Sequence, residues 1–525
     1  MGIYLNPGNE NFVEIAGAKI YVDKTLMIEA LQRSIRDGNK YVCISRPRRF
    51  GKTIASNMLS AYYSRGCDSE KLFSRFKIAK TLGFKDMLNK YNVIKIDLNS
   101  EYQNALDKES FLSKLSEKIK NELCEEYPDT GIGAEDSVAD AILKIFAAKK
   151  APFVIIIDEY DILAREEVSE ELFKKYLSFL NGLFKSDTLR PAIHLAYLTG
   201  ILPVVRDRVQ SKLNNFEEYT IIDAGALDEF VGFTDDEVEK LCDEYGTDFD
   251  ECKSWYDGYR LGSFDVYNPE SVVKSVIRGK FGNYWSKTST YAVIADLLEK
   301  NFDGTRDDVI KMISGENIDV NVTSFLNTMD SFRTKDDVFT YLIHVGYLAY
   351  DGKNNSCRIP NREVRQEWFN AVAVDENYKT TDKIIRASKE LLKATIAGDE
   401  EAVARALDES HIHVTSNRSY NNEDALAAAI YLSYIYALNN YNCIKEMTAG
   451  CGFADVVYIP IYPDRPAIII ELKRNDRSEK AIEQIKKRRY DDALKDYEGG
   501  IVLVGIDYNE KEKTHSCRIE RGGIC

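Results

Sequence analysis

One stretch, Ser45-Arg46-Pro47-Arg48-Arg49-Phe50-Gly51-Lys52-Thr53, limits what this chain can fold into more than any other. The apolar run Tyr41-Val42-Cys43-Ile44 leads into it, and the helix-patterned Ile54-Ala55-Ser56-Asn57-Met58-Leu59 follows. Strand, loop and helix in that order set unpaired N–H groups and a partial positive charge against the loop, as phosphate binding requires. Lys52 then reaches the outer phosphates and the Thr53 hydroxyl takes Mg²⁺. The glycine usual five residues before Gly51 is replaced by Arg46, which denies the backbone as close an approach. A Gly-Lys-Thr that merely opens a helix is the competing reading.

A chain of 525 residues exceeds one hydrophobic core, so roughly two to four domains are expected. No apolar run reaches the ~18–20 residues of a membrane span, and the first ten residues lack the pattern of a signal peptide. Ten scattered cysteines without CxxC pairs point to reduced thiols and a cytoplasmic protein. A net charge of -15 argues against coating nucleic acid through overall charge, but leaves room for a local basic groove. Five histidines make a histidine-based mechanism a poor first choice.

In chain order, residues 19–22 read as a short strand, and Asp23 as the N-cap of a helix over 26–35. Residues 92–98 form a strand, and 111–123 and 136–149 helices. Phe153-Val154-Ile155-Ile156-Ile157 then reads as a strand of a parallel sheet, buried on both faces. Asp158 at its C-terminal end suits a carboxylate holding Mg²⁺ through water, and Glu159 the base that orients attacking water. Two solvated acids at a strand end are the bland alternative. Residues 194–198 are another strand, ending at Thr199-Gly200, where Thr199 senses an outer phosphate or simply turns the chain. Residues 218–222 complete the sheet. Strands alternating with helices make a three-layer α/β nucleoside-triphosphatase core.

From about residue 227 the pattern changes to short helices, one of them opened by the capping box Thr234-Asp235-Asp236-Glu237. Arg260, in the aromatic segment that follows, is assigned to packing or solvent rather than to a nucleotide. A helix over 336–345 and a hairpin around Asp351-Gly352-Lys353-Asn354-Asn355-Ser356 suggest a winged-helix module. Charged helices over 383–399 and 400–407 lead into a last domain. The expected boundaries are 1–225, 226–380, 381–410 and 411–525.

That last domain reads as a helix (423–438), three strands (441–446, 452–459, 467–473), a helix (478–490) and a final strand (500–505). The pleat puts Glu471 and Lys473 on one face, and an adjacent strand can bring Asp455 alongside. Two carboxylates for a hard divalent cation and an amine beside them can activate water against a phosphodiester. Alternating charges on a surface strand are the competing explanation. Lys486-Lys487-Arg488-Arg489 can track a phosphate backbone or form a solvated face.

Taken together the chain resembles a bacterial family that joins an AAA-ATPase-like domain to a C-terminal nuclease-like domain of the PD-(D/E)xK superfamily. The resemblance rests on Arg46-Pro47-Arg48-Arg49-Phe50-Gly51-Lys52-Thr53, Asp158-Glu159-Tyr160-Asp161 and Leu198-Thr199-Gly200-Ile201-Leu202-Pro203. It continues in Leu213-Asn214-Asn215-Phe216, Trp255-Tyr256-Asp257-Gly258-Tyr259, Gly452-Phe453-Ala454-Asp455, Glu471-Leu472-Lys473 and Gln484. It implies a restriction-endonuclease-like α/β fold for the last domain. It also implies that Arg46 is this family's form of the phosphate loop, with ATP and Mg²⁺ bound there. At the second site it implies Asp455, Glu471 and the helix carboxylate Glu423 as ligands for Mg²⁺ or Mn²⁺, with Glu446 a weaker candidate and Lys473 as the catalytic lysine. Phe453 departs from the family pattern, standing where a basic residue is expected. The expected activity is an ATP-regulated nuclease acting on nucleic acid, DNA first, without membrane contact and open to homo-oligomerisation. A nucleotide-switched binding protein and an ATPase motor with an inert nuclease fold are the alternatives.

Overall fold

The computed structural model describes residues 2–166, 168–204, 213–285, 294, 297, 302–313, 315–325, 332–374, 379–414, 426, 430–431, 433–449, 452–461, 465–488, 494, 497 and 499–522. The chain forms two units. The first is Met1–Lys287 with Phe302–Thr305 and Asn317–Val364; the second is Thr288–Asn301, Arg306–Glu316 and Arg365–Cys525.

The first unit is built on strands β1 (Tyr41–Ser45), β2 (Asn92–Asp97), β3 (Phe153–Asp158), β4 (Ile193–Gly200) and β5 (Glu217–Tyr219), in the order β2-β3-β4-β1-β5. All four pairings are parallel, so every strand delivers its C-terminal end to the same edge. β3 is buried throughout because its five apolar residues have no solvent side. Helices Phe111–Glu126, Val138–Lys149 and Glu170–Phe184 share a core with Ile155 and Ile157 through Leu115, Ile119, Ile142 and Leu180. Each such side chain contributes about 1.5–3 kcal/mol on burial.

The sequence reading needs three corrections here. Residues 19–22 are not a strand but unladdered chain between α1 (Glu10–Ala16) and α2 (Leu26–Arg36). The N-cap of α2 is Thr25; Asp23 instead accepts from Thr25 N (2.9 Å), Thr25 Oγ1 (2.6 Å) and Lys77 N (2.7 Å). β5 stops at Tyr219, since the Thr220 hydroxyl accepts from Ile222 N and Asp223 N and turns the chain.

Beyond the sheet come helices Asp235–Tyr245, Phe249–Tyr256 and Pro269–Arg278 and a three-stranded antiparallel sheet. Its strands are β6 (Phe233–Thr234), β7 (Tyr259–Leu261) and β8 (Phe264–Tyr267), in the order β6-β8-β7. The Thr234–Glu237 capping box is present. Strand β9 (Ile318–Asp319), helix Lys335–Val345 and the hairpin β10 (Ala349–Asp351)–β11 (Ser356–Arg358) follow, and β9 adds an unforeseen third strand beside β11. Gly258 meets this hairpin segment closely. A Cβ there would stand 2.1 Å from the Pro360 carbonyl, and its φ of +117° suits only glycine.

The second unit carries helices Lys379–Ala397 and Glu400–Val414 and strands β12 (Tyr441–Ala449), β13 (Gly452–Pro460), β14 (Ala467–Arg474), β15 (Ile501–Asn509) and β16 (Thr514–Gly522). They form one sheet in chain order. All pairs are antiparallel except β14–β15, which helix Ser478–Arg488 connects. β16 corrects the expectation that residues 500–505 form the last strand. Of the expected helix over 423–438, residues Ile435–Asn439 form a 3₁₀ turn, and Glu423 lies outside the described residues.

Candidate nucleotide and metal sites

Gly51 ends the loop in the left-handed region (φ +94°) and caps α3 (Lys52–Tyr63). The loop side chains divide their tasks. Arg46 is fully buried; its guanidinium donates to Ser45 O and Tyr219 O at 2.9 Å each, and burial lowers its pKa to about 10. Arg46 therefore offers a ligand only its backbone. Pro47 packs against Gly346. Arg49 pairs with Glu270 at 3.2 Å and donates to Tyr284 O at 2.7 Å. Phe50 stands edge-on to Tyr259 with ring centres 5.5 Å apart. The loop's bulky residues thus grip the later part of the unit, and Arg48, Arg49, Phe50, Gly51, Lys52 and Thr53 line a cavity of about 900 Å³.

Lys52 is buried, and its ammonium donates back to Arg46 O (3.0 Å) and Pro47 O (2.9 Å). Burial lowers its pKa, opposed by Glu159, Asp158 and Asp161. Asp158 is pushed up to about 6 by burial, with the Thr53 hydroxyl bond and Lys52 pulling the other way. Thr199 is paired in register with both Asp158 and Ile44, which sets it between the acidic strand and the loop strand. Glu159 lines the cavity with a φ of +53° and is ion-paired to Arg165 at 2.5 Å. The cavity lining also includes the apolar Ile15, Ile20, Tyr21, Val22, Phe233 and Val273, side chains of the kind that receive a nucleotide base.

The sequence reading missed Arg165. It lines the cavity and also pairs with Asp161 at 2.9 Å; Asp161 in turn accepts from Ile201 N and Leu202 N, holding the turn after β4. The signal was available as an Asp161/Arg165 pair at helical i,i+4 spacing. Arg260 is 57% exposed and pairs with Asp265, away from the cavity lining.

In the second unit the β13–β14 ladder pairs Val456 with Ile470, so the next step sets Asp455 beside Glu471. Asp455 Oδ2 accepts from Leu472 N at 2.7 Å. Glu471 is 2% exposed; its Oε1 receives Lys473 Nζ at 3.4 Å and the Gln484 amide. Glu471 Oε2 is buried and makes no hydrogen bond among the described residues. Burial, then the charge of Asp455, pushes the carboxyl up to about 7 against the pull of Lys473. A carboxylate oxygen held this way costs free energy unless a cation takes it, so these residues fit a divalent metal. The backbone of Glu446 lies in β12, and Lys486 pairs with Glu520 at 2.5 Å.

A parallel sheet with a phosphate loop at its edge, and a mixed sheet carrying an Asp and a Glu-x-Lys, are the architectures of an ATPase-like P-loop domain and a nuclease-like domain. Residues 7–210 match the family described as predicted AAA-ATPase, and residues 421–517 the PD-(D/E)XK nuclease superfamily. The chain thus carries an AAA-ATPase-like domain and, at its C-terminus, a PD-(D/E)XK nuclease-superfamily domain. An uncharacterized protein in the vnfD 5' region of Azotobacter chroococcum mcd 1 is 26% identical over 289 residues, 53% of this chain and 52% of that protein. The chain therefore spans about half the length of the curated relative it matches. Two solved structures are similar at lower levels. The Walker-type ATPase PABY2304 of Pyrococcus abyssi has a TM-score of 0.35 and 13% identity, covering 66% of this chain and 94% of that one. The ORC2 protein of Aeropyrum pernix, in ADPNP-ADP complexes, has a TM-score of 0.23 and 10% identity, covering 82% and 90%. Likenesses this distant carry no argument about activity.

Proposed function

We propose that the first unit binds and hydrolyses ATP and thereby governs divalent-metal-dependent cleavage of DNA phosphodiesters at Asp455, Glu471 and Lys473. The observation that carries this reading is the buried Glu471 Oε2 beside Lys473, which makes no hydrogen bond among the described residues and is suited to a cation. Asp455 and Glu471 would hold the ion. When bound, it would supply Lewis-acid charge and lower the pKa of a water. Lys473 adds positive charge against the phosphate, and the Gln484 amide fixes the orientation of Glu471. In the first unit, Lys52 exchanges the Arg46 and Pro47 carbonyls for the outer phosphates of ATP. Thr53 and Asp158 are the ligands for its Mg²⁺, Thr199 is the polar group in reach of the outer phosphate, and Glu159 orients the water.

Cleavage of supercoiled and linear DNA with Mg²⁺, with and without ATP, tests the reading on wild type, Lys473→Ala and Lys52→Ala. Cutting should fall on the order of 10³-fold in Lys473→Ala, and its response to ATP should vanish in Lys52→Ala. Failure of wild type to cut DNA, or RNA tested alongside, would sink the nuclease assignment.

A further inference from the structure

Arg165 carries a charge that the proposed reactions leave unused. Its side chain is 9% exposed, lies in the wall of the loop cavity and touches two carboxylates. Nε stands 2.9 Å from Asp161 Oδ2, and NH2 stands 2.5 Å from Glu159 Oε2. The two partners differ. Asp161 is fully buried, committed to Ile201 N and Leu202 N, and cannot move without undoing the turn after β4. Glu159 is 26% exposed and opens to the cavity. The Nε end of Arg165 thus faces a fixed carboxylate as an ion pair without a hydrogen bond, while the NH2 end hydrogen-bonds a partner able to leave. Burial works against the guanidinium charge, but Asp161 and Glu159 together outweigh it. The arginine stays charged whichever acid it keeps.

As it stands, Glu159 gives one carboxylate oxygen to Arg165 and is hindered as a base. The group best able to take the NH2 contact is the most highly charged one that could enter beside Lys52 and Thr53, the terminal phosphate of a nucleoside triphosphate.

We propose that Arg165 is a triphosphate-responsive positioning residue: ion-paired to Asp161, it exchanges Glu159 for the terminal phosphate and so releases Glu159 only when a triphosphate is bound. This rests on the nucleotide reading above and names how that site tells triphosphate from diphosphate. A diphosphate ends one phosphate short, leaving Glu159 paired. No bond is made or broken in the exchange.

The test is binding rather than turnover. Fluorescent (methylanthraniloyl) AMPPNP and ADP are titrated into the full chain with Mg²⁺, alongside steady-state phosphate release and a melting curve. In wild type the triphosphate analogue should bind on the order of tenfold more tightly than ADP, an ordinary coupling size. Arg165→Ala should bring the two within about twofold while leaving ADP affinity within about threefold, and kcat should fall on the order of 10²-fold or more. Glu159→Gln weakens the competing pair and keeps Arg165 on Asp161, so it should raise the triphosphate preference several-fold; the double variant should lose that rise. Glu159→Gln keeps the inference falsifiable if Arg165→Ala does not fold. An Arg165 that merely braced Asp161 would lower the melting temperature and both affinities together, with the triphosphate-to-diphosphate ratio unchanged. That result, or a ratio unmoved in Glu159→Gln, overturns the inference while the nucleotide site stands. Absence of binding of either nucleotide to wild type overturns the nucleotide reading itself, and this inference with it.

Discussion

The two candidate sites use the same materials, acids at the ends of buried strands with a lysine beside them, yet they rest in opposite conditions. In the first unit the reactive side chains are held from within: Lys52 by two loop carbonyls, Glu159 by Arg165, Arg49 by Glu270. In the second, Glu471 Oε2 is left without a hydrogen bond among the described residues, and its lysine stands 3.4 Å from the other oxygen. A site satisfied by its own residues has to be opened by a competing ligand, and so can act as a switch. A buried carboxylate oxygen left without a hydrogen bond among the described residues is poised to take a cation as soon as one arrives.

The strongest way to break this contrast is to add metal without nucleotide. In chelator-treated protein, millimolar Mg²⁺ or Mn²⁺ should raise the melting temperature of wild type through preferential binding to the folded state. Glu471→Gln should abolish that rise together with DNA cleavage, the latter on the order of 10³-fold. A rise of equal size in Glu471→Gln would mean the cation enters the first unit unaided, and the contrast would fall.

A sharper comparison comes from a third buried acid that belongs to neither ligand set. Glu363 is 1% exposed and accepts from Ser271 Oγ, Tyr284 N and Trp285 N through one oxygen, with Arg49 nearby. Burial pushes it up from 4.5 to about 7. The folded state therefore holds a proton that the unfolded chain has lost, and stability falls as pH rises between those values. Glu363→Gln keeps the accepting oxygen and removes the charge. It should match wild type near pH 4.5 and exceed it at pH 8 by roughly 3 kcal/mol in unfolding free energy. Unlike the effect at Glu471, this gain should be indifferent to divalent metal. A denaturant series at the two pH values reads it.

The smallest expected effect tests the boundary of the first site. Arg260→Ala should change ATP hydrolysis by less than about twofold, because an exposed pair such as Arg260–Asp265 contributes at most ~1 kcal/mol and lies outside the cavity. A tenfold loss in phosphate release would bring Arg260 into the nucleotide site.

Much of this architecture was legible because the informative strands are continuous apolar runs. β1 and β3 announce both their burial and the ends where Ser45 and Asp158 stand. β16 was not, since Thr514–Gly522 interleaves charges and is largely open to solvent. The apolar lining supplied by Ile20, Tyr21 and Val22 was misread because its residues have strand composition but no ladder partner. Arg46 shows a different limit. Its loop position pointed to phosphate, and only the fold reveals a guanidinium spent on the carbonyls that end β1 and β5. At the second site Asp455, Glu471 and Lys473 could be grouped from pleat and spacing alone, whereas the burial that makes Glu471 informative depends on how Ser478–Arg488 packs.

The fit of Gly258 against the Pro360 carbonyl has a consequence during synthesis. The two residues are separated by about a hundred positions, and between them the chain twice contributes segments to the other unit. At about 5–20 residues per second, the aromatic segment around Gly258 leaves the ribosome roughly 5–20 s before its partner. For that interval Tyr259, which finally donates to Gly346 O, lacks that acceptor. The ATPase-like unit is thus completed late in translation, and a shortened transcript that stopped near residue 285 would yield a core with its aromatic flank uncovered.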